Sequence, residues 1–258
     1  MKPLYKKDVF NNIIVAAHRG DQSNAPENSI ESFIDAISSG VDMIEADIHI
    51  TKDNHFIINH NAYIQKDSKK YLISELSSSE IQKIKVVNKK SSTETKIAKL
   101  SDLLSIAKNK CYLNIEIKRN NSITNASFID KLLNEITKYG NLDEVLFASF
   151  YYDMLSVSKE IAPEVPIAAI RIPSRPLLPE QILSKINIDA YITSQSSLSM
   201  SISESALKNN IILATYSIDT AAHFAKAMKY NAKAIGTNRA KEIVEIANIY
   251  RKSAKNKP

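Results

Sequence analysis

The chain has 258 residues, 44% of them apolar, and a formal net charge of +6. That length suits one large domain or two small ones and leaves enough apolar material for a sizeable core. A single cysteine, Cys111, excludes an intrachain disulfide framework. No apolar run reaches bilayer length, which argues against stable membrane insertion. The lysines are scattered among 28 acidic residues rather than massed in the basic block of a nucleic-acid binder. A basic balance fits anionic partners such as phosphate esters, nucleic acid or acidic lipid surfaces, although most of these lysines read as solvated surface. The opening MKPLYKKDVFNN carries lysines but no apolar signal core, so a cytoplasmic location is expected.

The first predicted strand, 13–17 (IIVAA), runs straight into His18-Arg19-Gly20, and a helix is expected over 29–38. The second strand, 43–50 (MIEADIHI), puts Glu45, Asp47 and His49 on one face by strict alternation. Some sixty residues then separate it from the third strand. They hold HFIINH (55–60), a short helical pattern (77–84) and the polar tract 88–96, which reads as a mobile tip. A connection that long in a compact domain is functional or disordered. It is read as a small excursion, about 61–98, on the rim of the domain. Helix 101–108 precedes the third strand, 112–117 (YLNIEI), where Asn114, Glu116 and Lys118 share a face. Strands 144–149, 166–172, 190–193, 211–218 and 233–237 follow, alternating with helices 126–139, 152–161, 179–185, 203–209, 220–229 and 240–250, and the last residues read as frayed.

Eight strand–helix alternations predict an α/β fold, a (β/α)₈ TIM barrel in one domain spanning 1–258; an open doubly wound sheet is the structural alternative. In a barrel, chemistry gathers at the C-terminal strand ends. His18 lies there and can move protons near neutral pH, and Arg19 can grip a phosphate. Glu45 and Asp47, flanked by Met43, Ile44, Ala46 and Ile48, require a cation if they face inward, because an unpaired buried charge is costly. The alternatives are an outward face, or an ion pair with an internal base. Glu116 can supply a third oxygen ligand and Lys118 can neutralise a phosphoryl oxygen; an exposed Glu116–Lys118 pair is the competing account. His60 follows FIIN and completes two acid–base groups. His49 could also line the site, His55 sits in an exposed turn, and His223 and Cys111 are assigned to structure. Ser149, Arg171, Ser194 and Tyr216 are further strand-end candidates. The set suits metal-assisted phosphodiester cleavage: Glu45, Asp47 and Glu116 on the metal, His18 and His60 as base and acid, Arg19 and Lys118 on the phosphate.

HRG (18–20) followed by APENS (25–29), the run AISSGVDMIEADIHITKDNHFIINH (36–60), YLISELSSSEIQKI (71–84), KLSDLLSIA (99–107) and LNIEIK (113–118) resemble the glycerophosphodiester phosphodiesterase family. The likeness is tight from 13 to 118 and loose afterwards. It implies a (β/α)₈ barrel that cleaves glycerophosphodiesters to glycerol 3-phosphate and an alcohol with a divalent metal, magnesium or calcium. Glu45, Asp47 and Glu116 match its metal positions, His18 and His60 its acid–base pair, and Arg19 and Lys118 its phosphate contacts. Asn28, in PENS, is expected to pin the loop after strand one. Three positions depart from the family pattern. Asn61 follows the second histidine where aspartate is usual. Tyr216 stands where strand seven usually carries tryptophan, and is assigned to substrate packing. Thr237–Asn238 replaces Thr-Asp. Two other readings stay open: a lysophospholipase D or other lipid-type phosphodiesterase, and a barrel that binds a phosphorylated ligand with little turnover. Oligomeric state is not read from the sequence.

Overall fold

The computed structural model describes residues 12–66, 69–87, 94–120 and 122–255. Eight parallel strands close into a barrel: β1 (Ile14–His18), β2 (Met43–Ile50), β8 (Tyr112–Ile117), β9 (Val145–Ser149), β10 (Ile167–Ile170), β11 (Ala190–Ser194), β12 (Ile212–Tyr216) and β13 (Ala234–Thr237), with β13 pairing back onto β1. The open-sheet alternative is thereby excluded. Helices α1 (Ile30–Ser38), α3 (Leu100–Ala107), α4 (Asn125–Tyr139), α5 (Tyr152–Ile161), α6 (Pro179–Leu183), α7 (Met200–Lys208), α8 (Ala221–Lys229) and α9 (Ala240–Lys255) cover the outside. Among the described residues, no helix is long and apolar enough to cross a membrane.

Strand parity divides the core in two. Odd residues of β1 and β8 and even residues of β2 point outward, so Val15, Ile115 and Ile44 pack under the helices with Phe33, Leu103 and Leu132. Burying each such side chain stabilises the fold by roughly 1.5–3 kcal/mol. The opposite parity fills the lumen, where Ala16, Ala148, Ala168, Ala190, Ala214 and Ala234 contribute only methyl groups. Helix starts follow capping chemistry. Ser29 caps α1 through the N–H of Ser32, and Thr124, Ser199 and Thr220 cap α4, α7 and α8 in the same way.

The excursion has more structure than its sequence suggests. β2 outruns β1, which pairs with it only as far as His18 against Glu45. β3 (Phe56–Ile58) turns back and pairs antiparallel to the free end of β2, Ile48 against Ile58. Two hairpins follow: β4 (Tyr63–Lys66) with β5 (Lys69–Leu72), and β6 (Lys85–Val87) with β7 (Glu94–Lys96). Between them, α2 (Ser78–Ile81) carries a capping box from Ser77 to Glu80. The unit has its own core of Ile57, Ile64, Ile73, Ile81, Ile84 and Ile97. The expected mobile tip is therefore corrected at 94–96, which is paired strand, while 88–93 lie outside the described residues. The expected fraying is likewise corrected at 252–255, which extend α9; 256–258 lie outside the described residues.

Candidate active site

The loop after β1 is held in an uncommon backbone shape. Arg19 adopts φ 60°, Gly20 φ 84° and Asn28 φ 57°. Left-handed geometry costs an arginine roughly 1 kcal/mol or more. It is held because the Arg19 N–H donates to the Glu45 carbonyl at 3.1 Å and lies 3.0 Å from Glu45 Oε2. The Asn28 N–H donates back to the Arg19 carbonyl at 2.9 Å and closes the loop. Gly20 presses against α1 so closely that a Cβ there would lie 2.3 Å from Ser32 Oγ.

Glu45 and Asp47 on β2 and Glu116 on β8 all face the lumen and are buried, with one oxygen of each lying within 4.8 Å of the others. Asp47 stands opposite Glu116 in the strand register. Arg19 Nε approaches Asp47 Oδ2 at 3.1 Å, Lys118 Nζ approaches Asp47 Oδ1 at 2.7 Å, and the Asn28 amide donates to Asp47 Oδ2 at 2.9 Å. Lys118 also pairs with Glu116, so the anticipated ion pair exists, but inside the barrel rather than on an exposed strand. Burial opposes ionisation of Asp47, yet Lys118 and Arg19 outweigh it and hold its carboxyl below the usual range. Glu45 goes the other way: burial, then Asp47 and Glu116, push it well above. Glu116 is also raised, by burial first, with Lys118 opposing. Three carboxylates thus face two cations. Glu45 Oε1 is buried with no hydrogen-bond partner among the described residues. An all-oxygen donor set with an unpaired carboxylate oxygen fits a hard divalent cation.

His18 ends β1, and its Nδ1 lies 2.8 Å from Asn238 Oδ1. Tyr216, at the end of β12, stacks on its ring with centroids 5.6 Å apart and planes inclined at 28°. His60 comes from the start of the excursion, just after β3. The Asn59 N–H donates to the Asp47 carbonyl at 3.0 Å, one step beyond where Arg19 meets Glu45, so β3 returns the chain along the edge that β1 leaves free. Burial, followed by Arg19, lowers the pKa of both His18 and His60.

One cleft brings together His18, Arg19, Glu45, His60, Glu116, Lys118 and Tyr216 at its mouth, and continues downward over apolar side chains. Its far wall, from β9 to β11, consists of Leu146, Phe150, Ala168, Ile170, Ala190 and Ile192. Asp47 lies just behind the mouth, fully buried. His49 does not line the cleft: it is buried behind it and hydrogen-bonds the His60 backbone, with burial pushing its pKa down to about 4. Ser149 points away from the lumen, its hydroxyl bonded to the Ile117 carbonyl at 2.8 Å. Arg171 and Ser194 bond to Ser197 on the rim. His55 is exposed, and Cys111 is buried with its thiol pushed up to about 12. Sequence reasoning missed Asp219, Gln22 and Glu27. Glu27 pairs with Arg19 at 3.0 Å and shares the PENS segment; nothing in the local sequence marks the other two.

The description of the glycerophosphoryl diester phosphodiesterase family matches residues 18–242. A glycerophosphodiester phosphodiesterase of Caldanaerobacter subterraneus subsp. tengcongensis is 30% identical over 161 residues, covering 61% of this chain and 66% of that protein. The chain thus spans slightly less than two thirds of that relative's length. Among solved structures, a glycerophosphodiester phosphodiesterase of Parabacteroides distasonis superposes with a TM-score of 0.79 at 19% identity, covering 93% of this chain and 98% of that one. An Oleispira antarctica phosphodiesterase in complex with the product sn-glycerol-3-phosphate gives 0.78 at 20% identity, over 91% and 96%. At these identities the structural likeness speaks for the fold.

Proposed function

The chain belongs to the glycerophosphoryl diester phosphodiesterase family, and from that premise we propose that it hydrolyses glycerophosphodiesters to glycerol 3-phosphate and an alcohol. The observation that carries this reading is the convergence of three carboxylates, two histidines and two cations at the C-terminal mouth of the barrel. Glu45, Asp47 and Glu116 would hold the divalent cation, magnesium or calcium, which when bound polarises a phosphoryl oxygen as a Lewis acid. Arg19 and Lys118 bind the diester's negative charge and orient phosphorus for attack. His18, half-buried and with its pKa lowered, takes the proton from the attacking water. His60, nearer solvent, gives a proton to the departing alkoxide as the P–O bond breaks. The diester anion offsets Arg19, one of the groups that disfavour the protonated form of His60. Tyr216 packs against the glycerol moiety and keeps the His18 ring in plane.

A second reading keeps the reaction and adds an acyl chain, favoured by the uniformly apolar far wall of the cleft. One panel tests both. The purified protein with magnesium or calcium is incubated with glycerophosphocholine, glycerophosphoethanolamine and their monoacyl counterparts, and phosphorylated product is measured with and without chelator. Glycerol 3-phosphate release that chelator abolishes supports the proposal. Faster cleavage of the monoacyl diesters supports the second reading. Diester binding without product from any substrate overturns both and leaves a phosphoester-binding barrel.

A further inference from the structure

We propose that Asp219, in the loop after β12, is a positioning residue that sets the tautomer of His18 through the side-chain amide of Asn238. The inference rests on His18 acting as the base. Asp219 Oδ2 lies 2.8 Å from Asn238 Nδ2, and Asp219 Oδ1 accepts from the Asn238 N–H at 2.7 Å and from the Thr237 hydroxyl at 3.0 Å. A carboxylate can only accept, so the end of Asn238 facing Asp219 must be the NH₂. The carbonyl end is thereby turned toward His18 Nδ1, at 2.8 Å. An amide oxygen can also only accept, so Nδ1 must carry the proton. That leaves Nε2 as the ring nitrogen with the free lone pair, the form a general base requires.

Gln22 makes the same assignment from the other side. Its Nε2 donates to the backbone carbonyl of His18 at 2.9 Å and to Asn238 Oδ1 at 2.8 Å. The first contact sets which end of the Gln22 amide is the donor, and the second repeats the requirement that Asn238 present oxygen. Two independent anchors thus hold one amide, and that amide holds one ring nitrogen. The negative charge stands one residue removed from the imidazole. The arrangement gives orientation without a carboxylate in direct contact with His18.

The test uses ¹⁵N-histidine-labelled protein, with the His18 ring signals assigned among the five histidines by substitution. In the unaltered protein at neutral pH, the proposal requires Nδ1 protonated and Nε2 bare; the opposite tautomer overturns it without any variant of Asp219. Asp219→Asn puts an amide opposite an amide and removes the charged anchor, leaving Gln22 alone to favour the Asn238 oxygen facing His18. The expected result is a His18 signal moved toward the Nε2–H form, with kcat lowered about 10–100-fold and KM within about threefold. The double variant Asp219→Asn/Asn238→Asp exchanges the two groups: the carboxylate, now at position 238, would accept from His18 and from the amide now at position 219. It is expected to regain the Nδ1–H form and most of kcat. A variant Asp219→Asn that keeps both tautomer and kcat overturns the proposal. So does a loss of kcat with an unchanged tautomer that the exchange does not repair, since that is a purely structural effect. Because the tautomer is read without substrate, failure of the relay is distinguishable from failure of the hydrolytic reading.

Discussion

The side-chain amide of Asn28 donates to Asp47 Oδ2 across 2.9 Å, so the loop after β1 orients a carboxylate on β2. Asn28 therefore does more than pin its own loop. Replacing Asn28 with alanine is expected to leave the barrel folded and to weaken divalent-metal binding about 10–100-fold, the usual range for loss of a group that orients a ligand. Calorimetric titration of metal into both proteins measures this; equal affinities would show that Asp47 is held by Lys118 and Arg19 alone.

Glu45→Gln separates stability from function. Burial and two neighbouring carboxylates raise the pKa of Glu45, so its ionised form is disfavoured in the folded state. For an acid raised on folding, stability falls as pH rises above its unfolded value of 4.5 and through the folded value. The glutamine keeps an acceptor for the Arg19 N–H and removes the charge. Without metal, the variant should melt at a higher temperature than the parent at pH 7; with metal, only the parent should gain stability. A lower melting point in the metal-free variant would contradict this account.

Gly20→Ala combines two penalties, a left-handed φ of 84° and a Cβ 2.3 Å from Ser32 Oγ. Relief requires Ser32 to move away from the carbonyls of Arg19 and Ser29, at 3.2 and 2.8 Å, which it now links. A loss of about 2–4 kcal/mol in urea unfolding is expected. Activity should fall with it, because His18 and Arg19 adjoin the disturbed turn.

His49 gives the protein an acid-sensitive component. Burial lowers its pKa from 6.5 to about 4. Below 6.5 the unfolded chain takes up a proton that the folded chain refuses until about 4, so stability is lost as pH falls across that window. The full effect is on the order of 3 kcal/mol. His49→Asn should flatten the slope of unfolding free energy against pH between 6.5 and 4, while differing little in slope above neutrality. An identical slope in both proteins would assign the acid sensitivity elsewhere.

The sequence shows the barrel clearly because its signal is periodic. Alternation in 43–50 and 112–117 reports both the strand and the face that carries Glu45, Asp47 and Glu116, and β2 and β8 have those bounds. The same rule excludes Ser149: it shares parity with the outward-facing Val145 and Phe147, and a parity count separates it from the site. The excursion is harder to read. Its strands are three or four residues long, too short for a period to emerge, and its isoleucines converge only after two hairpins have formed. The Asp219–Asn238–His18 contacts join two loops and the first strand, separated by 19 and 220 positions, and no local pattern encodes such a meeting. The departure at Asn238 looks like a missing acid in one dimension. In three dimensions an acid stands beside it.

The two walls of the cleft have divided the work between them. The charged groups and both histidines come from β1, β2 and β8 and the segments that follow them, Tyr216 stands on β12, and β9, β10 and β11 present only hydrocarbon. Substitutions among Leu146, Phe150, Ile170 and Ile192 can widen, narrow or reshape the cleft without touching the three carboxylates, the two histidines, Arg19 or Lys118. Such a barrel can diversify in diet while its chemistry stands still, and relatives with different substrates are expected to differ first along that silent wall.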